Sequence, residues 1–294
     1  MAFVIWLVTL AVFIMLRFSG DPASVMLPFD ATPESRQAFR ETMGLDRPLH
    51  IQYGIFLSRA FQGDFGSSVR YRQPVIALIM ERLPATILLT LAGVGLTLAI
   101  GIPLGIIQAT RQRSWIDWVG GGATVLSFSM PGFWLGMMLI MVFAVRLHWL
   151  PSSGMGSWQH VVLPAVTVAS ALLAYTSLLV RNGMLDVLTQ DYIRTARAKG
   201  LFGNAVLYRH ALRNTLIPVV SLVGLQMGTL FGGAVITESV FQWPGIVLLA
   251  LQAISMRDFP LVQGTVFFLA LSVVAMNLAA DLLYAVIDPR IRYG

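Results

Sequence analysis

One short polar stretch guides the interpretation of the whole chain: Asp191-Tyr192-Ile193-Arg194-Thr195-Ala196-Arg197-Ala198-Lys199-Gly200. Asp191 is predicted to cap a helix that begins at Tyr192, because its carboxylate can accept a hydrogen bond from an unpaired backbone N–H. Gly200 is predicted to end this helix in the left-handed conformation that glycine adopts most easily. A helix of about eight residues is not stable alone in water. We therefore expect it to lie against a partner, which we interpret as another protein.

The amino-acid composition is that of an integral membrane protein. Of the 294 residues, 56% are hydrophobic and only 12% are charged, and the mean hydropathy is +0.75. A soluble domain carries about 25% charged residues. The net charge of +6 is typical of cytoplasmic loops that face anionic lipid, and it does not indicate nucleic-acid binding. The chain has no cysteine, no metal-ligand spacing among its four histidines and no P-loop sequence, so no metal or nucleotide site is predicted.

Six apolar segments are predicted to be transmembrane spans. Residues 2–16 are short for a span, which needs about 20 residues. We interpret them as most of a first transmembrane helix with a truncated or mis-assigned start, in preference to a signal peptide. The other spans are residues 83–109, 118–145 with Pro131-Gly132 at mid-depth, 161–180, 217–237 and 264–287. These spans divide the chain into three predicted regions: the first helix at 1–16, a loop at 17–82, and a core at 83–294 that contains the polar loop 181–216.

The distribution of basic residues orients these spans. The segments after the second, fourth and sixth spans hold ten arginines and lysines, whereas the short loops after the third and fifth hold only Arg146 and Arg257. Basic residues accumulate in short cytoplasmic loops. Both termini and the stretch 191–200 are therefore predicted to be cytoplasmic, and the loop 17–82 is predicted to lie outside.

The predicted spans also indicate where the driving energy comes from. No Asp, Glu, Lys or Arg lies deep in any of them, and Asp281, near the end of the last, comes closest. An ion-coupled transporter usually needs ionisable groups or broken half-helices at mid-membrane. An external energy source acting on the cytoplasmic loop is favoured, and an ion-coupled secondary transporter or channel is the alternative.

The stretch after Asp191 resembles the cytoplasmic EAA loop of ABC importer permeases. The general pattern of that loop is Glu-Ala-Ala, three residues, Gly, nine residues, Ile, one residue, Leu-Pro. Its second Ala, Gly and Leu positions are matched by Ala196, Gly200 and Leu212. Its Glu, first Ala, Ile and Pro positions are instead held by Arg194, Thr195, His210 and Arg213. The local sequence at residues 192–200 and 209–214 is more similar to the dipeptide, oligopeptide and nickel branch of the family.

Further segments extend this resemblance over nearly the whole chain. Each reads as ordinary turn chemistry when taken alone, but their ordered set is specific to the family. The segments are Gly20-Asp21-Pro22, residues 44–49, residues 63–67, Glu238-Ser239-Val240-Phe241, Trp243-Pro244-Gly245, residues 281–285 and Asp288-Pro289-Arg290.

The resemblance implies an all-α integral membrane protein with six transmembrane helices, the type I ABC importer permease fold and a large extracytoplasmic loop after helix 1. It implies a non-catalytic inner-membrane subunit that moves dipeptides or oligopeptides by alternating access, with nickel or glutathione as the alternative substrate. The implied partners are a second permease, two ATPase subunits that bind ATP and Mg, an extracytoplasmic substrate-binding protein and the lipid bilayer. No cofactor is expected on this chain.

Two sets of residues are predicted to carry these roles. The coupling loop, which contacts the ATPase in the family, comprises Asp191, Tyr192, Arg194, Thr195, Ala196, Arg197, Lys199, Gly200, His210, Leu212 and Arg213. A groove of small residues spaced by four, where another helix could approach closely, comprises Gly224, Gly228 and Gly232.

The loop 17–82 is predicted to be a folded cap. A helix is expected at residues 35–43, with Pro33 in its first turn and Gly44 after its end. Aromatic side chains, which disordered tethers lack, are expected to anchor the loop: Tyr53, Phe56, Phe61 and Phe65. The loop could dock a binding protein or form an outer gate, or it could only shield the outer helix ends.

Overall fold

The protein is helical throughout the part described by the structure, a computed structural model that covers residues 2–18, 32–201 and 203–287. Within these ranges the only strand-type pairing is an isolated bridge between Ser67 and Pro74. The expectation of an all-α protein is therefore confirmed. The sequence matches at residues 20–22 and 288–290 lie outside the described residues.

Twelve α-helices are described, and three of them continue directly into or out of π-helical segments. They are α1 (Ala2–Phe18), α2 (Pro33–Met43), α3 (Leu49–Phe61), α4 (Val75–Thr110), α5 (Trp115–Ser129), α6 (Gly132–Leu139) with the π-helix Ile140–Arg146, α7 (Trp158–Leu188), α8 (Asp191–Ala198), α9 (Gly203–Ala205), the π-helix Val206–Ala211 with α10 (Leu212–Val240), α11 (Ile246–Ser255) and α12 (Phe259–Ile287).

Among the residues that the structure describes, three helices are long and apolar enough to cross a membrane: α4, α7 and α12. The pair formed by α5 and α6 with its π-helix counts as a fourth span if it is taken as one bent element. The described part of α1 has a shorter apolar run, Ile5–Met15. The expected count of six spans remains a prediction.

Several helices extend beyond the limits that hydropathy predicts. The helix of the second span begins at Val75 instead of residue 83, and that of the sixth begins at Phe259 instead of residue 264. The interval 181–216 is largely helical, which corrects its description as a loop: α7 continues to Leu188 and α10 begins at Leu212. Hydropathy detects apolar residues, whereas the backbone hydrogen-bond ladder continues through polar ones.

The third predicted span is not continuous. Helices α5 and α6 meet at a bend of 107°, with Met130 and Pro131 at the break. Met130 is extended, with φ −84° and ψ 125°, because the ring of a following proline disfavours the helical conformation. Pro131 then becomes the first residue before α6, and its carbonyl accepts a hydrogen bond from Leu135 N at 3.1 Å.

Residues 238–263, the interval between the fifth and sixth predicted spans, contain a buried helix. Six of the ten residues of α11 are buried, including Ile246, Leu249 and Ala253. The Thr86 hydroxyl accepts a hydrogen bond from Ile246 N at 2.9 Å, which satisfies one of the unpaired donors at the start of the helix. The segments on either side of this helix, Trp243-Pro244-Gly245 and Arg257-Asp258, are not helical. The apolar run between them is too short for a span.

The first compact unit comprises residues 1–86 and 244–274. Its core is built from α4, α11 and α12, through Val75, Ile79, Ile246, Leu249 and Leu261. The loop helices are capped as the sequence predicts: α2 begins after Thr32, whose hydroxyl accepts from Ser35 N, and ends at Gly44 with φ 65°.

Helix α3 is tied to this unit by the predicted aromatic anchors. The rings of Tyr53 and Phe13 lie 5.3 Å apart, and those of Phe56 and Phe267 lie 6.3 Å apart in an edge-on arrangement. Phe61 and Phe65 also contact the Phe267 ring. The Tyr53 hydroxyl donates to the Trp6 carbonyl oxygen at 3.1 Å. The described part of the loop is therefore folded.

The second compact unit comprises residues 87–243 and 275–294. Within it, α4 and α7 pack closely along a line of glycines: Gly93, Gly101 and Gly105. A Cβ atom at Gly93 would contact Val168, and one at Gly101 would contact Thr176. A Cβ atom at Gly105 would lie 2.6 Å from the Ser177 carbonyl oxygen. The two backbones can approach this closely only because these positions have no side chain.

We expect Gly105→Ala to destabilise the protein by about 1–3 kcal/mol, the usual cost of overpacking a core. The Ser177 carbonyl belongs to a helix backbone and cannot move aside as a side chain could. Gly95→Ala is the matched control, because Gly95 lies on the same helix with no atom within 4 Å of its Cβ position. Alanine there should be neutral or stabilising by up to about 1 kcal/mol. Thermal unfolding in detergent measures both changes, and equal melting temperatures for the two variants would contradict the assigned contact.

Candidate coupling site

The predicted coupling helix is α8, which follows α7 after a two-residue turn. Its N-cap is Gln190, with an extended backbone (φ −70°, ψ 149°), and no side chain caps the helix. The prediction that Asp191 is the cap is therefore wrong. Asp191 is instead the first helical residue, where its carboxylate is still favourably placed near the positive end of the helix dipole. The helix has eight residues, as expected.

Gly200 ends this segment as predicted. Its φ is +81°, its N–H donates to the Arg197 carbonyl at 3.0 Å, and Leu201 N donates to the Ala196 carbonyl at 3.3 Å. No atom lies within 4 Å of the Cβ position of Gly200. The requirement for glycine at this position therefore comes from the backbone conformation alone.

Helix α8 is anchored by one buried face. Ile193 is completely buried and Ala196 is 8% exposed, and their spacing of three puts both on the same side of the helix. Both belong to a hydrophobic cluster shared with α7 and with the chain that follows α8. Other members of this cluster are Val180, Met184, Val206, Ala211 and Val219. Helix α8 therefore packs against both α7 and α10 through this cluster.

The opposite face of α8 is exposed and basic. The side chains of Arg194, Arg197 and Lys199 all lie on the surface. Arg194 pairs with Asp191 at 3.6 Å, but both side chains are more than three-quarters exposed, so the pair contributes little stability. Thr195 is also exposed, and its hydroxyl donates to the Asp191 carbonyl at 3.0 Å. This face is therefore exposed and carries a net positive charge.

The second half of the predicted coupling loop is only partly close to α8. Asn214 Nδ2 donates to the Tyr192 hydroxyl at 2.8 Å, which links α8 to the start of α10. Leu212 packs against the hydrophobic cluster, whereas Arg213 points to the surface. The side chain of His210 lies outside the described residues. Asn214 was not predicted as a site residue, because a link across 22 positions leaves no local pattern.

The predicted glycine groove is described only at its first member. A Cβ at Gly224 would lie 2.9 Å from the Cβ of Ala280, so α10 and α12 approach closely there within one subunit. Gly228 and Gly232 lie in α10, and their surroundings are outside the described residues. Close to α8, Gly183 of α7 makes a similar contact with Thr215 of α10, at 2.9 Å from its Cβ position.

An ion pair that the sequence did not reveal joins α5 to α7. Arg181 donates to both carboxylate oxygens of Asp117, from Nε at 2.7 Å and from Nη2 at 2.9 Å. Arg113 N also donates to Asp117 at 3.0 Å, and the Ser114 hydroxyl caps α5 by accepting from Asp117 N. Ser114 with an acid three residues later resembles a capping box, and this was the one local signal for Asp117.

No three His, Cys, Asp or Glu side chains form a possible metal site among the described residues. The expectation that this chain binds no cofactor, and that ATP and Mg are bound by partner subunits, stays a prediction.

Sequence comparison with known families identifies the class of protein. Residues 101–293 match the family described as "Binding-protein-dependent transport system inner membrane component", and residues 1–90 match its N-terminal region. The chain belongs to this family. It is therefore an ABC importer permease subunit, a multi-pass inner-membrane protein without catalytic activity of its own. Such a permease works with an ATPase and a substrate-binding protein.

Individual relatives and solved structures agree with this assignment. The permease is 40% identical to the "Glutathione transport system permease protein GsiC" of Escherichia coli (strain K12), over 98% of this chain and 95% of that protein. It is 41% identical to the protein of the same name from Salmonella typhi, over 93% and 90% of the two chains. An inward-facing structure of the MetNI methionine ABC transporter matches with a TM-score of 0.59 and 17% identity, over 72% of this chain and 97% of that chain, which supports the fold alone.

Proposed function

We propose that this permease imports glutathione or a similar short peptide across the inner membrane. The support is the identity of 40–41% to glutathione permeases over more than nine-tenths of the chain. Glutathione is itself a tripeptide, so this substrate is compatible with the dipeptide and oligopeptide resemblance of the coupling loop. Nickel, the third substrate of that branch, has less support because the relatives named above are glutathione permeases.

The observation that carries the proposed mechanism is the two-sided character of α8. Its buried face, Ile193 and Ala196, belongs to the cluster that includes α7 and α10, and its opposite face carries exposed basic groups. In the proposed cycle, ATP closes a pair of ATPase subunits that hold the exposed face. The buried face then moves α7 and α10, and the helices alternate between outward and inward access.

The proposed orientation places α8 and both termini in the cytoplasm, and the loop 17–82 outside. Basic residues around α8 support this placement through the positive-inside rule. A second permease subunit would complete the pathway. The folded helices α2 and α3 would then form part of the surface where a substrate-binding protein docks or the outer gate closes, since loops on a rigid scaffold often carry function.

The substrate is tested by reconstituting the permease with its partner subunits and its binding protein in proteoliposomes. We expect ATP-dependent uptake of radiolabelled glutathione, and uptake of an unrelated dipeptide or of nickel at a small fraction of that rate. Efficient nickel uptake without glutathione uptake would contradict the peptide substrate. The alternative of an ion-coupled carrier predicts uptake from vesicles that lack the ATPase subunits and hold an imposed ion gradient.

We expect Gly200→Val to reduce ATP-driven uptake by about tenfold while the protein still reaches the membrane. A left-handed residue other than glycine costs roughly 1–2 kcal/mol, and about 1.4 kcal/mol corresponds to a tenfold change in an equilibrium. Gly203→Val is the matched control, because Gly203 is also open around its Cβ position but lacks a left-handed φ. Uptake and ATPase rates in the assembled complex measure the effect, and wild-type rates for Gly200→Val would refute the role of this turn.

A further inference from the structure

A cavity of about 620 Å³ lies beside the Asp117–Arg181 ion pair, among the adjoining ends of α4, α5 and α7. Its wall is partly apolar, formed by Trp118, Val125 and Leu178. Its polar groups include the side chains of Gln108 and Arg113. At about 30 Å³ per molecule of liquid water, the cavity is far larger than a single small ion requires.

The charged side chains that line this cavity, Arg113, Arg181 and Asp117, have a net positive charge. The carboxylate of Asp117 is saturated by Arg181 and by the backbone N–H of Arg113. Among the described residues, no hydrogen-bond or ion-pair partner is found for the Arg113 guanidinium. Arg113 has a left-handed backbone, with φ +62°, and it holds the tight turn between α4 and α5 at the rim of the cavity.

A second, independent observation points to a ligand at this cavity. Gln108 is only 1% exposed, and its Nε2 donor has no hydrogen-bond partner in the described structure. Its Oε1 accepts from the Ser177 hydroxyl at 3.3 Å. A buried unsatisfied N–H group is costly, and here the amide belongs to a side chain that lines the cavity. A rotation of this side chain that turns the amide toward the cavity would let an anionic oxygen there satisfy the donor.

The surroundings favour a lipid over a soluble anion. Trp118 at the cavity and Trp115 at the start of α5 are 77% and 73% exposed. Tryptophans at helix ends are typical of the membrane–water interface, and basic pockets between transmembrane helices on the cytoplasmic side bind anionic lipid headgroups. The apolar wall formed by Val125 and Leu178 suits the start of an acyl chain.

We propose that this cavity binds the phosphodiester headgroup of an anionic phospholipid from the cytoplasmic leaflet. The phosphate lies between the Arg113 guanidinium and the Gln108 amide, and the Asp117–Arg181 pair holds α5 and α7 at the required spacing. This inference rests on the proposed cytoplasmic placement of the turn 111–114. Its test measures binding alone, so it can succeed or fail independently of the transported substrate.

The test uses the full chain, purified with its partner subunits, stripped of lipid and titrated with dioleoyl phosphatidylglycerol while native mass spectrometry counts bound lipid. Arg113→Gln should weaken phosphatidylglycerol binding about fivefold, since one arginine near an anionic lipid is worth about a factor of five. Arg111→Gln is the matched control: it removes the same charge from the same turn, but Arg111 does not line the cavity. Its affinity should equal that of the wild type.

Gln108→Met provides a second variant that keeps the fold. It removes the unsatisfied amide, so the lipid-free melting temperature should not fall, whereas the stabilisation gained on adding phosphatidylglycerol should shrink. Phosphatidylcholine should bind more weakly than phosphatidylglycerol in the wild type. Equal affinities of the wild type and Arg113→Gln would overturn the proposal. Competition by glycerol 3-phosphate at the same concentration as the lipid would also overturn it, because it would show a site for soluble phosphate esters.

Discussion

Replacing Ile193 with alanine is expected to abolish most ATP-driven uptake. Ile193 is the completely buried anchor of α8, and truncating a buried isoleucine costs about 2–5 kcal/mol. A helix of eight residues has too little intrinsic stability to absorb that loss. We therefore expect α8 to separate from the cluster formed with α7 and α10, so that ATPase movements no longer reach the transmembrane helices.

The measurement is uptake together with ATPase stimulation by the loaded binding protein, in complexes matched for subunit content. Uptake should fall at least tenfold, while basal ATP hydrolysis by the partner subunits continues. Ile193→Val is the matched control, because removing a single methylene costs only about 0.5–1.5 kcal/mol. It should retain most of the uptake. Normal stimulation in the alanine variant would show that coupling does not pass through this buried contact.

Features fixed by local chemistry could be predicted from the sequence. The left-handed Gly200 and Gly44 end their helices as expected, because only glycine enters that conformation without strain. Asp191 shows the limit of such rules. An acid at a helix start serves either as the cap or in the first turn, and the choice depends on the backbone conformation of Gln190.

Features fixed by distant contacts could not be predicted. The sequence shows a proline at position 131, but it does not show whether the helix only kinks there or bends sharply. The burial of α11 depends on packing against α4 and α12, which are far away in sequence. The Asp117–Arg181 pair joins residues 64 positions apart. Hydropathy and spacing carry no information on which distant elements come together.

Asp258 is expected to be among the most important single residues for the stability of the first unit. It is 2% exposed and precedes α12. Its Oδ2 accepts from the Ser68 hydroxyl at 2.5 Å and from Arg70 N at 3.1 Å. Its Oδ1 accepts from Leu261 N at 3.2 Å, as a helix-capping residue does. One carboxylate thus ties the segment before α4 to the start of α12.

Asp258→Ala should lower the free energy of unfolding by about 3–5 kcal/mol, because it removes a helix cap and leaves buried donors unsatisfied. Asp258→Asn should cost less, since asparagine still caps helices but accepts through only one oxygen. Asp64→Ala is the matched control: Asp64 accepts a single hydrogen bond, from Gly66 N, at an exposed turn of the same unit. Thermal unfolding of the assembled complex in detergent should rank the variants Asp64→Ala, Asp258→Asn and Asp258→Ala in order of increasing destabilisation. Equal effects of the two alanine variants would mean that the buried carboxylate does not hold these segments together.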